Sequence, residues 1–323
     1  MKVNSKNKNN ISFDGFWGSK CVKKGLEFAS NNGALFAATT TLALSAGVRP
    51  LAILATPKTE EKNKKIACAK SIVSGVLEFA LTLAISLPIA GAFKKIDANP
   101  TKYLKKESIK VLKGELNNIK DSKAYSLATQ LFKLGLGFAV VIPKSILTAL
   151  GIPLLLDEKK DNKTKKDVDL TFKGKNNDIL AKGLGKILDN KGLQNFANKY
   201  KESNFPLHIF ALKDMFATLA FINSAKSSEK IKEEQKPFLV KNSLISTAMS
   251  IISSYTIDKL TDKPAQKIIE KIKKENLNDP NLAKYLEGFK IVKPIIILAV
   301  VYYTIIPILS TFLAQNRDNK NNN

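Results

Sequence analysis

The chain is poor in the residues on which most enzyme chemistry is built. Its 323 residues include one histidine, His208, and two cysteines, Cys21 and Cys68. A single histidine excludes a histidine-based metal cluster. A Ser-His-Asp arrangement would have to recruit His208 from inside an apolar run, where a packed or interfacial histidine is the commoner case. The cysteines form no CxxC pair and no metal-ligand spacing, so reduced, unpaired thiols are expected and no disulfide-stapled exported domain is indicated. No phosphate-binding glycine loop, HExxH or carboxylate pair at useful spacing occurs. GLGKILDNKG (183–192) has a superficial likeness to a glycine-rich loop, but no strand precedes it at the right distance. These absences predict no enzyme activity, no cofactor and no metal.

Arginine is nearly missing as well. Arg49 and Arg317 are the only two, so the net charge of +24 is carried by lysine. Lysine is a point charge on a flexible stem, whereas arginine offers the planar fork that reads phosphates and bases. Neither that fork nor a set of base-stacking aromatics is present, which argues against a specific nucleic-acid partner. Two readings of the charge stay open. One is compositional drift, since lysine, asparagine and isoleucine are abundant everywhere. The other is attraction to an anionic bilayer, about 1 kcal/mol per well-placed basic residue. The opening MKVNSKNKNNISFDGFWGSK has no apolar core of the signal-peptide kind, so no cleaved signal is expected and the first hydrophobic helix would act as the signal.

What the chain does have is long apolar runs. PIIILAVVYYTIIPILSTFLA (294–314) carries no charge and matches the roughly 20 residues that span a bilayer core. Residues 71–93 are broken only by Glu78, and residues 134–156 only by Lys144. Three weaker runs follow: 33–56 with Arg49 inside, 207–225 with Lys213 and Asp214, and 239–257, which is polar through its serines. A soluble helical core would show shorter runs with polar residues at helical spacing. The mean hydropathy of −0.09 leaves open that some weak runs do not span. Between the runs lie basic amphipathic stretches: 101–120, 265–277 and DILAKGLGKILDNKGLQNFANKYK (178–201). In the last, Ile179, Leu180, Leu184, Ile187 and Leu188 share a face, with Lys182, Lys186 and Lys191 mostly off it. That is the pattern of a helix lying on an anionic lipid surface, or of one packed on a core.

The runs fall into two similar series. Residues 32–86 align with 204–258 without a gap, placing Asn32 on Asn204, Glu61 on Glu233, Lys64 on Lys236, Ser71 on Ser243 and Ser74 on Ser246. Farther on, Pro100 meets Pro264 and Phe132-Lys133 meets Phe289-Lys290. Upstream, ISFDG (11–15) is similar to LTFKG (170–174). The expected fold is therefore an all-α, multi-pass membrane protein of two homologous three-helix halves. Its divisions are a basic segment 1–31, a first repeat 32–156, a basic linker with an amphipathic helix 157–203, a second repeat 204–315 and a disordered tail 316–323. Three crossings is an odd number, so the second half is expected upside down relative to the first, an inverted repeat. Lysine divides almost evenly between the two faces, so the positive-inside rule assigns no orientation.

GVRPLAILATPKTEEKNKKIACAKS, LTFKGK and the paired halves together resemble an uncharacterised family of lysine- and asparagine-rich bacterial membrane proteins. The resemblance covers most of the chain. It implies a place in the cell membrane and brings no activity or functional residue with it.

Charges at membrane depth cost about 2.5–3.5 kcal/mol each on insertion scales, so they usually have partners or a task. Glu78, Lys144 and Asp214 are candidates for an intramembrane site, with Lys213 beside Asp214. Each could instead mark a run that never spans or a lysine that reaches back to the surface. Pro143 and Pro307 interrupt the third run of each half, where transporters place their midplane sites, although packing kinks would look the same. The leading expectation is passage of a small solute or ion between the halves. The alternative is a non-catalytic scaffold that binds anionic lipid or a protein partner through the basic helices. An enzyme acting on lipid ranks third.

Overall fold

The computed structural model describes residues 15–156 and 177–319. Among these, every regular element is helical. The similar motifs at 11–15 and 170–174, and the last four residues of the tail, lie wholly or mainly outside the described residues.

Proline sets many of the boundaries. It stands in the first turn of α6 (Pro100–Tyr103), α11 (Phe205–Ser227) and α12 (Lys236–Glu275), where its missing N–H costs nothing; at the start of α3 (Arg49–Leu54) and α5 (Leu87–Ala98) it lies within a continuing helical rod. Gly114, at φ 62°, ends α7 (Lys106–Lys113) in the left-handed region that glycine enters freely. The side chain of Asn190 caps α10 (Lys191–Tyr200) by accepting from the Leu193 N–H at 3.1 Å.

Three wide π-helical turns interrupt the rods, at Leu44–Val48, Thr82–Ser86 and Leu298–Ile305. Each ends two residues before a proline: Pro50, Pro88 and Pro307. An extra residue in the turn moves the carbonyl that the proline ring would strike. In the first, the π-helical partner of the Ser45 carbonyl would be the nitrogen of Pro50, which has no hydrogen. The Ser71 hydroxyl of α4 (Glu61–Leu81) donates to that carbonyl instead, at 2.6 Å.

Four stretches are long and apolar enough to cross a membrane: Leu35–Leu54, Glu61–Ala98, Lys123–Leu156 and Leu282–Gln315. They contain the three strongest apolar runs and the weak run that holds Arg49. The rods α11 and α12 are long, but their charges and serines keep them outside this group. A belt of exposed large apolar side chains runs along the rods, including Leu51, Leu150, Leu154, Leu219, Ile252 and Val300.

The bundle has two distinct ends. At the hairpin end, Ile66, Ile152, Phe221, Ile231, Phe238 and Leu239 form one core, and Lys62 pairs with Glu234 at 3.7 Å. At the amphipathic end lie two further cores. In one, α1 (Lys20–Asn31) packs on α13 (Leu282–Ile297) through Leu26, Tyr285 and Phe289. In the other, α9 (Asn177–Leu188) packs on α5 through Phe93, Ile96, Leu184 and Leu188. Fully burying one such side chain is worth about 1.5–3 kcal/mol. Gly288 and Gly185 make the two dockings close: a Cβ at Gly288 would strike the Leu26 backbone, and one at Gly185 the Tyr103 carbonyl.

Helix direction corrects the expectation of inverted halves. The rod α2 (Gly33–Ala43) to α3 runs from the amphipathic end to the hairpin end, α4 to α5 runs back, and α8 (Lys123–Leu156) runs forward again. The second set repeats this order: α11 forward, α12 back, α13 to α14 (Ile306–Asn319) forward. The contacts fix it, since Ile53 and Ile66, Ala225 and Ile231, and Ile152 and Ala314 all lie in the hairpin-end core. Both triplets point the same way. Their starts are drawn to one end because the apolar faces of α1 and α9 each find a partner there.

Two smaller differences concern the later segments. Pro264 does not begin a separate helix: α12 continues through it to Glu275. The last helix runs to Asn319, past the position where the tail is expected to begin.

Candidate functional site

The helix period brings the site together on α4. Lys70, Ser74 and Glu78 are spaced by four, which places them on one stripe. That stripe faces a cleft of about 260 Å³. Arg49, at the start of α3, enters from one side. Lys144, Ser145 and Thr148 of α8 form the next wall. Lys213, Asp214 and Thr218 of α11, with Ser243, Ser246 and Thr247 of α12, close it. The cleft thus lies between the first triplet and the second.

Glu78 and Lys144 form a hydrogen-bonded ion pair across it. Lys213 and Asp214 stand 3.8 Å apart. The structure therefore brings Glu78, Lys144, Lys213 and Asp214 to one place. Pro307 is fully buried and lines a smaller cavity of about 40 Å³ with Arg49 and Lys70. Pro143 is not part of the site. It is exposed on the outer face of α8, which continues through it as an α-helix.

The cavities stand in file along the bundle. The smallest, lined by Ile53, Ala67, Arg49 and Lys70, lies toward the hairpin end. The main cleft follows. A third, of about 300 Å³, continues past Thr82, Ser86 and Ile89 to Lys133 near the amphipathic end. Glu78, Lys144 and Lys213 line both of the larger two, so the ion pair stands at their junction.

Arg49 and Lys70 are the charged lining residues that the sequence leaves outside the candidate site. The Lys70 ammonium donates to the Ser243 hydroxyl at 2.6 Å and lies 4.3 Å from the centre of the Phe221 ring. The Arg49 guanidinium reaches the Ser246 hydroxyl only at 3.5 Å, and its Nε is buried with no hydrogen-bond partner. The signal that could have found Lys70 is its spacing of eight from Glu78. Beside the cleft, Asn242 donates to Ser310 at 3.3 Å and to Thr311 at 3.2 Å.

The basic helices are docked rather than free. In α9, Leu184 and Leu188 are buried against protein, while Ile179, Leu180 and Ile187 remain exposed with Lys182 and Lys186. The single expected lipid-facing stripe is thus divided, because packing on α5 takes its inner half. Lys191, at the start of α10, is exposed. Asp178 fastens the start of α9, accepting from the Tyr103 hydroxyl at 2.6 Å and pairing with Lys102 at 3.3 Å and Lys95 at 3.4 Å. These hydrogen bonds, Tyr103 first, hold the Asp178 carboxyl down to about 2. His208 contacts the Tyr255 hydroxyl through Nδ1 at 2.6 Å.

Comparison of the chain with protein-family models, with curated proteins and with solved structures finds no match.

Proposed function

We propose that the protein is a membrane-embedded helical bundle that passes a small solute between its two triplets of helices, without covalent chemistry. The observation that carries this reading is the file of three cavities along the bundle, the larger two meeting at the Glu78–Lys144 pair. The exposed apolar belt supports the bilayer: each half-exposed leucine or isoleucine moved from water to hydrocarbon contributes about 1 kcal/mol. The resemblance to lysine- and asparagine-rich membrane proteins belongs to the same proposal.

Duplication is also part of the reading. In support, α11 packs along α8 as α2 and α3 pack along the rod from α13 to α14. The leading amphipathic helix of each half docks on the other half, α1 on α13 and α9 on α5. Copies related this way share an axis along the bundle, the parallel kind of repeat. In reconstituted vesicles, Glu78→Gln and Lys144→Met are expected to change solute flux while the protein stays folded. Unchanged flux in both variants refutes the passage reading.

A second reading is favoured by the outer face of α9, where Ile179, Leu180 and Ile187 stay exposed beside Lys182 and Lys186. A bundle acting as a scaffold lays that face, with Lys191, on an anionic lipid surface. It predicts salt-sensitive binding of the intact protein to anionic vesicles and no flux. Indifference to lipid charge removes its support.

A further inference from the structure

The cleft does not balance its charge. Four cations line it, Arg49, Lys70, Lys144 and Lys213, against two carboxylates, Glu78 and Asp214. Glu78 is taken by Lys144 and Asp214 by Lys213. Arg49 and Lys70 remain, with no ion pair among the described residues. They line the same two cavities, so their charges repel one another. Their polar partners are neutral hydroxyls, and the buried Arg49 Nε has none. Burying uncompensated charge is costly, and a hydroxyl cannot neutralise it. An oxyanion can: it accepts from the guanidinium fork and the ammonium at once, while Ser74 and Ser246 offer hydroxyls to its other oxygens.

We infer that Arg49 and Lys70 form a binding site for a small free oxyanion of two negative charges, of the sulfate or hydrogen phosphate class. This inference names the solute of the proposed passage and rests on the reading of the cleft as a solute site. It does not depend on transport. Two uncompensated positive charges match a divalent anion, and a cleft of about 260 Å³ is below the usual range for larger organic ligands. The phosphate of an anionic lipid headgroup shares this chemistry and is the competing source. The site favours the free ion, because it lies between α3, α4 and α12 inside the bundle and not on the belt.

The test is equilibrium binding to the full chain purified in an uncharged detergent, at constant ionic strength. Sulfate, phosphate, chloride and a short-chain phosphatidic acid serve as separate probes. Saturable binding of sulfate or phosphate is expected, at least tenfold tighter than chloride. Lys70→Met is expected to weaken it tenfold or more. Arg49→Lys, which keeps the charge and loses the fork, should weaken it less, and Lys24→Gln, at an exposed position on α1, not at all. Should either inner variant fail to fold, selenate can be located in the wild-type protein by its anomalous scattering. Density between Arg49 and Lys70 supports the site, and density only elsewhere overturns it. Binding of phosphatidic acid alone, binding indifferent to both inner variants, or no saturable anion binding overturns it as well. Anion binding without flux refutes passage and leaves the site standing. Flux of a cation or neutral solute without anion binding does the reverse.

Discussion

The Glu78–Lys144 pair offers a quantitative test of how the bundle interior handles charge. At 4 Å and an effective dielectric of about 20, opposite unit charges attract by roughly 4 kcal/mol. Desolvation offsets much of this, so the pair together contributes little, whereas removing one partner strands the other. The two ends of the pair are unequal. The Lys144 side chain is 19% exposed and that of Glu78 is 46% exposed. Glu78→Gln strands the more enclosed charge and is expected to cost about 2–4 kcal/mol. Lys144→Met leaves a carboxylate that the cleft can still hydrate, so about 1–2 kcal/mol is expected. The double variant should lose less than the two single losses combined, by about 1–2 kcal/mol. Reversible unfolding in uncharged detergent micelles, followed by circular dichroism, measures all four corners of the cycle. Losses that add within about 0.5 kcal/mol would show that the two side chains do not interact across the cleft.

Two further outcomes concern the docked helices. Gly288→Leu places side-chain atoms against the Leu26 backbone and should lift α1 from α13 at a cost of about 1–3 kcal/mol. The only tryptophan, Trp17, stands edge-on to Phe289 at 5.8 Å, so its emission should shift to the red; an unchanged spectrum contradicts the packing. The Asp178 carboxyl is held below its ordinary value of 3.8, at about 2. A depressed carboxylate stabilises the fold above its unfolded pKa, and that contribution is lost as the pH falls through the folded value. Protection of the α9 amides, relative to the intrinsic exchange rate at each pH, should therefore fall between about pH 4 and pH 2, and Asp178→Asn should remove that change. Protection in α9 that is constant over this window in the wild type refutes the anchor.

The apolar runs were legible because hydrocarbon thickness imposes a length: 71–93, 134–156 and 294–314 all lie within stretches long enough to cross. The Glu78–Lys144 pair was legible for a related reason, since a lone charge in each of two apolar runs needs a partner. Arg49 and Lys70 were not. Lys70 adjoins the strip EEKNKK and reads as the last of a solvated series, and Arg49 reads as the mark of a weak run. Only the π turn before Pro50 and the approach of α12 turn them toward one cavity. The relative direction of the halves was also hidden. Counting crossings makes the second half inverted, but long-range docking of α9 on α5 and α6 decides otherwise, and the close approach to α6 depends on Gly185 leaving room for the Tyr103 carbonyl. The proline pattern misled in part: Pro307 accompanies a wide turn at the site, whereas α8 absorbs Pro143 on its outer face.

The central claim is that the bundle crosses a bilayer with its amphipathic and hairpin ends on opposite sides. Impermeant thiol labelling in sealed vesicles tests it most directly, in a Cys68→Ser background. Cys21 is exposed on α1 and reports the amphipathic end; a Lys58→Cys substitution, in the turn between α3 and α4, reports the hairpin end once Cys21 is replaced by serine. The account predicts that one of the two reacts from outside and the other only after the vesicles are opened. Reaction of both from the same side would contradict it.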